Sequence, residues 1–194
     1  MQKPNNYDET QAHGDFTPVE LGGHYLVIKQ VEETKSSAGQ DMIKISFDFD
    51  KNDIQPGYFA ELFKNDIRPD KKWSNQATQH TLVYDQDGKT SRSFKTFCTC
   101  VEHSNPGFAV NWGDNWGAQF KNKKIGGVFG EELDWYEGKE KHKRVLRWFV
   151  STDKVDGAAI PELKETKAHK DQTAINSGDF MNIPDSLEEE LPFA

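Results

Sequence analysis

The sequence predicts a mainly β fold, a small coiled sheet of five strands closed into a partly open barrel with one or two short helices packed on it. Three observations predict it. Residues 42–50 alternate strictly between apolar and polar side chains, glycines cluster in the late strands where a sheet must coil, and the elements follow in the order strand, strand, helix, weak strand, helix, long strand, strand.

Each element has its own signal. Residues 1–19 are polar and without period, and read as a flexible N-terminal segment. After Gly22 and Gly23, the run Tyr25 to Glu33 is rich in β-branched and aromatic residues, which predicts the first strand. In the second, Met42 to Asp50, Ile43, Ile45, Phe47 and Phe49 share one face, opposite Lys44, Ser46 and Asp48. Ser36 to Asp41 supply turn residues between the two, so an antiparallel hairpin is the simplest pairing. Tyr58, Phe59, Leu62 and Phe63 fall at helical spacing before Pro69. His80 to Tyr84 make a brief strand. Phe94, Phe97, Cys98 and Val101 then define a better helix, with Ser93 as the expected cap and Asn105-Pro106-Gly107 as the stop. Residues 108–120 form an aromatic loop. From Lys124 a long strand carries Ile125, Phe129, Leu133 and Trp135 at alternate positions, Glu137-Gly138-Lys139 turns the chain, and Arg144 to Thr152 return it. On this last strand Leu146, Trp148 and Val150 are expected to face inward and Val145, Arg147 and Phe149 outward.

Composition bounds the rest. The 194 residues carry a net charge of -8 and a mean hydropathy of -0.84. No window holds the roughly 20 apolar residues of a membrane helix, and the first residues lack the charged and apolar regions of a signal peptide, so a cytoplasmic protein with no membrane partner is expected. The charge is unevenly placed: residues 171–194 hold six acids and no base, and residues 1–20 hold four acids and one lysine. The body between these ends is close to neutral, so the acidic total does not exclude a nucleic-acid ligand. The expected organisation is the N-terminal segment 1–19, a folded domain over 20–157, and a charged linker with an acidic tail over 158–194.

Two constellations carry chemistry. In the first, Lys121, Lys123, Lys124, Lys141, Lys143, Arg144 and Arg147 are interleaved with Trp112, Trp116, Trp135, Tyr136 and Phe149. Single-stranded nucleic acid needs cations for its phosphates and flat faces for its unstacked bases, and this alternation supplies both. In the second, Glu188, Glu189 and Glu190 precede Leu191, Pro192 and Phe193. A purely solubilising tail has no use for an apolar end, whereas a peptide docking into a base-rimmed pocket needs one.

Together these residues resemble bacterial and phage single-stranded DNA-binding proteins. The strand-turn-strand SSAGQDMIKISFDF and the hairpin GGVFGEELDWYEGKEKHKRVLRWFVS are similar to OB-fold proteins encoded in phage replication and recombination regions, including a phage family with no assigned function. The resemblance implies an OB barrel that coats single-stranded DNA and an acidic tail, here Glu188 to Phe193, that recruits replication or recombination proteins. The family tail usually ends on the Phe, whereas here Ala194 follows.

Other readings are weaker. Cys98 and Cys100, two apart on a helix, point about 200° apart and cannot share a metal ion with His103. Glu162, Lys164 and Asp70 have the residue types of a small metal-dependent nuclease but lie in a charged linker and a loop. No phosphate-binding Gly-rich loop and no nucleophile elbow is present. No catalytic residue, metal or cofactor is therefore expected. A carbohydrate-binding or virion-associated β module is the alternative, since NWGDNWG could stack on sugars, but sugars need no row of lysines. The sequence leaves the oligomeric state open, a homo-oligomer included.

Overall fold

A computed structural model describes residues 1–5, 7 and 17–176. Its elements are β1 (Gly22–Lys35), β2 (Asp41–Phe49), α1 (Tyr58–Asn65), β3 (Thr78–Leu82), α2 (Arg92–Ser104), β4 (Lys124–Tyr136), β5 (Lys139–Val150), β6 (Lys164–Glu165) and α3 (Lys167–Asn176), with short 3-10 turns at Asn75–Ala77, Trp116–Phe120 and Thr152–Lys154. They fall into two compact units, Met1–Gly130 with Arg144–Pro161 and Glu131–Lys143 with Glu162–Ala194, and β4 and β5 contribute residues to both.

The main sheet runs β3-β2-β1-β4-β5 and is not closed. This is the path of a five-stranded barrel left open between β3 and β5, with α2 connecting β3 to β4, as the sequence predicts. One side-chain bond reaches across the opening: the Gln76 amide donates to the Arg144 carbonyl at 3.0 Å.

Pairing follows from the alternation in β2. Leu26 faces Phe49 and Ile28 faces Phe47; the register then shifts between Ile28 and Gln30, and Val31 faces Ile45. The irregularity divides β1 in two. Gly22 to Val27 pair with β4, Leu26 and Val27 pairing with β2 as well, while the residues from Ile28 onward pair with β2 alone. Ile43, Ile45, Phe47 and Phe49 are all buried, each worth about 1.5–3 kcal/mol. Around them lie Leu26, Ile28, Phe59, Phe97, Phe120, Ile125, Phe129 and Phe149. Their rings meet mostly edge to face, Phe47 with Phe129 at 6.2 Å and Phe49 with Phe129 at 5.4 Å.

Three polar residues fix the surrounding pieces. Asp48, on the polar face of β2 by sequence, is buried and accepts from the Phe59 amide at 3.0 Å, so it caps the first turn of α1 where Gly57 offers no side chain. Asp53 accepts from the Tyr25 amide at 2.7 Å and the Gln55 amide at 2.9 Å, and its Oδ1 lies 3.0 Å from Nδ1 of the buried His24. That imidazole stacks on Phe49 at 4.4 Å. The cap of α2 is Ser91 rather than the expected Ser93: its hydroxyl accepts from the Phe94 amide at 3.2 Å.

Residues 17–19, assigned by sequence to the N-terminal segment, are tied to this body. Val19 is buried, the Tyr58 hydroxyl donates to the Thr17 carbonyl at 2.9 Å, and the Gln55 amide donates to the Pro18 carbonyl at 3.1 Å. Burial pushes the Tyr58 phenol up to about 12. In the other unit, β6 and α3 occupy part of the stretch read from sequence as a charged linker.

Candidate nucleic-acid interface

The NWGDNWG segment forms an aromatic platform. Asn115 turns the chain at φ 57, a left-handed conformation that asparagine tolerates, and starts the 3-10 turn Trp116–Phe120. Gln119 closes the loop: its oxygen accepts from the Asn111 amide and its nitrogen donates to the Asn111 and Trp116 carbonyls, all at 2.8 Å. Gly117 sets the turn against β1, because a Cβ there would sit 2.2 Å from the Val31 carbonyl oxygen. With the turn so placed, Trp116 is buried and packs on Phe120 at 4.5 Å and Phe94 at 5.5 Å.

Trp112 lies over this base. Its ring is 5.8 Å from that of Trp116 at an interplanar angle of 15°, and it is 67% exposed. A flat face is thus offered to solvent by a side chain whose other face is held. The turn that carries Trp116 also lines a groove of about 470 Å³, formed by Lys29, Gln30, Val31 and Glu33 of β1 and by Asn115, Gly117, Ala118 and Lys121. Lys121 has no ion-pair partner among the described residues, whereas Lys29 lies 3.6 Å from the Asp48 carboxylate. Further along, Lys123 sits 4.6 Å above the Phe108 ring and Lys124 lies 3.4 Å from Asp50.

The remaining candidates divide between the units. Arg144 donates to the Val19 carbonyl, and Arg147 is partly buried on β5. In the other unit, Glu137 and Gly138 both have positive φ, 51 and 77, which is the backbone of a tight two-residue hairpin turn. Lys141 next to it is exposed and lies 5.7 Å above the ring of the exposed Tyr136. Trp135 is partly buried. Lys143 is bonded to Asp134, whose carboxyl is held below its ordinary value first by that bond and then by one from Thr166. Glu188, Glu189, Glu190, Leu191, Pro192 and Phe193 lie outside the described residues.

Two candidates are corrected. Trp116 is buried and supports Trp112 instead of meeting a base itself, and Phe149 does not face solvent: it is buried against Phe97 at 5.5 Å and Phe47 at 6.2 Å, and Trp148 is 48% exposed in its place. Leu146 and Phe149, three apart, are both buried, so the strict alternation used to assign the faces of β5 breaks between them. Trp148 instead lines a cleft of about 460 Å³ with Val128, Val150, Lys154, Ile160 and Pro161.

Sequence reasoning also missed Lys29 and Gln30. Nothing local marks them, since they join the platform through a contact between segments nearly ninety positions apart. Among the described residues no group of three or more His, Cys, Asp or Glu side chains is placed to hold a metal ion, and no helix is long and apolar enough to cross a membrane. Cys98 is buried, and burial pushes its thiol up to about 11. Comparison with models of known protein families finds no match, and comparison with curated proteins finds none either.

Proposed function

We propose that the chain binds single-stranded DNA without strong sequence choice, as a non-enzymatic coat protein of phage-type replication or recombination. The observation that carries this reading is Trp112, exposed and backed by Trp116, whose turn itself lines a groove bearing Lys29 and Lys121. A base stacked on an indole is worth roughly 1–3 kcal/mol by truncation and needs no particular base identity. Because Trp112 is already held in place, stacking on it costs little ordering of the protein. The open five-strand path adds support, since barrels of this kind take oligonucleotides on their exposed strands. The acidic residues Glu188 to Glu190 with Leu191, Pro192 and Phe193 then serve to recruit partner proteins to the covered strand.

Titrating tryptophan fluorescence with oligo(dT) at low and at high salt tests the reading. Quenching that weakens with salt, and that falls in Trp112→Ala with the fold intact, is the expected result. An unquenched signal at low salt overturns it.

A further inference from the structure

The helix α3 is ten residues long, KAHKDQTAIN, and polar on nearly every side. A helix shorter than about 12–15 residues is marginal in water on its own, so α3 depends on what it docks against. Of its residues 167–173 the one buried is His169.

The surroundings of His169 lie wholly within its own unit. Its Nε2 is 2.9 Å from Glu140 Oε2 on β5, and its Nδ1 is 3.5 Å from Glu165 Oε2 on β6. The other oxygen of Glu140 lies 3.6 Å from Nε2 of His142, whose Nδ1 is 3.0 Å from Glu131 on β4. Two imidazoles thus face three carboxylates. Thr166 caps the helix, accepting from the His169 amide at 3.3 Å and donating to Asp134 at 2.8 Å, and Asp134 is neutralised by Lys143. An imidazolium at His169 answers the two carboxylates it faces, Glu140 and Glu165, with a positive charge that the neutral ring lacks.

We propose that His169 is a proton-operated latch, holding α3 against β5 and β6 as an imidazolium and releasing it, to unwind, when the proton leaves. Release lengthens the tether to everything beyond residue 176, because ten residues span about 15 Å as a helix and up to about 35 Å extended. The bond to Glu140 raises the His169 proton affinity above its ordinary 6.5, burial opposes this, and Glu165 adds to the rise. Glu140 is correspondingly held below 4.5, first by its bond to His169. A raised histidine contributes fully below 6.5 and stops contributing as pH rises through its folded-state value. A lowered carboxyl contributes above 4.5 and stops as pH falls through its folded-state value. Docking is therefore strongest between 4.5 and 6.5 and weakens on the alkaline side first on approach to neutrality and beyond.

Amide hydrogen exchange followed by NMR on the full chain, corrected for intrinsic rates, tests the latch. Protection of residues 168–173 should fall at least about tenfold between about pH 5.5 and about pH 8.5, with a midpoint above the ordinary histidine value. His169→Gln should lose the protection at every pH, while His142→Gln should keep the transition. Amides of β1 and β2 report in each variant that the body is folded. Equal protection of α3 at both ends of the range in the wild type, or a pH transition that survives in His169→Gln, overturns the proposal.

Discussion

Gly117 is the position where a single added carbon tests the architecture of the platform. In Gly117→Ala the new Cβ would meet the Val31 carbonyl oxygen at 2.2 Å and its carbon at 3.1 Å, and neither atom can rotate aside because both are backbone. Relief requires the 3-10 turn Trp116–Phe120 to retreat from β1 by roughly 1 Å, a displacement that forfeits a quarter to a half of each dispersion contact it stretches. Trp116 and Phe120 are both buried and move with the turn. Overpacking typically costs about 1–3 kcal/mol, and a backbone clash beneath two buried aromatics belongs at about 3 kcal/mol. For a folded body of this size that is a fall in Tm of roughly 6–12 °C. Urea unfolding should show a lower midpoint with an unchanged slope. Gly157→Ala is the control: nothing lies within 4 Å of its added Cβ, so its effect stays within about 0.5 kcal/mol. If Gly117→Ala unfolds at the same urea concentration as Gly157→Ala, the turn does not rest on β1 as described.

On β5, Phe149→Ala should lose about 3–5 kcal/mol and Trp148→Ala under about 1 kcal/mol in the same unfolding assay; the reverse order would restore the alternation expected from sequence. Asp48→Ala leaves the buried Phe59 and Phe49 amides without their acceptor and should cost about 1–3 kcal/mol, read as a lower urea midpoint. Ser91→Ala removes the cap of α2 and should cost about 1 kcal/mol by the same measurement. Replacing Lys121, Lys139 and Lys141 with Ala should flatten the dependence of log K for oligo(dT) on log salt by about 2 units, at about 0.7 per phosphate; an unchanged slope would place the phosphates elsewhere.

The fold was largely legible because its signals are local. The alternation at Ile43, Ile45, Phe47 and Phe49 assigned the faces of β2 correctly, and the stripe of Phe94, Phe97, Cys98 and Val101 assigned that of α2, since each is buried. Local signals misled where the backbone departs from ideal repetition. Ser91 and Ser93 are equally good caps by residue type, and what selects Ser91 is the bond its hydroxyl makes to the Leu82 carbonyl at the end of β3. Strict period 2 along β5 interchanges Trp148 and Phe149, because the period breaks between Leu146 and Phe149. The platform was half legible. NWGDNWG announced exposed aromatics, but which tryptophan supports and which is presented depends on Gly117 meeting Val31, a long-range contact with no mark in either segment.

The same distinction applies to the cations. By sequence alone Lys124, Lys143 and Arg144 count equally with Lys121 and Lys141, yet the fold already uses three of the five. Lys124 faces Asp50, Lys143 neutralises Asp134, and Arg144 secures the Val19 carbonyl. A phosphate approaching any of these must compete with an existing partner, and its net gain is the difference between two similar contacts. For exposed pairs that difference is within about 1 kcal/mol. Lys121 and Lys141 make no ion pair among the described residues, although Glu33 lines the same groove as Lys121, so their charge is not already spent on a partner. Few uncommitted lysines make for a shallow salt dependence, and a protein with a shallow salt dependence must take more of its affinity from stacking. The burden then falls on Trp112, the aromatic side chain presented with its inner face held by another tryptophan, and the position of Trp112 rests in turn on the contact between Gly117 and β1.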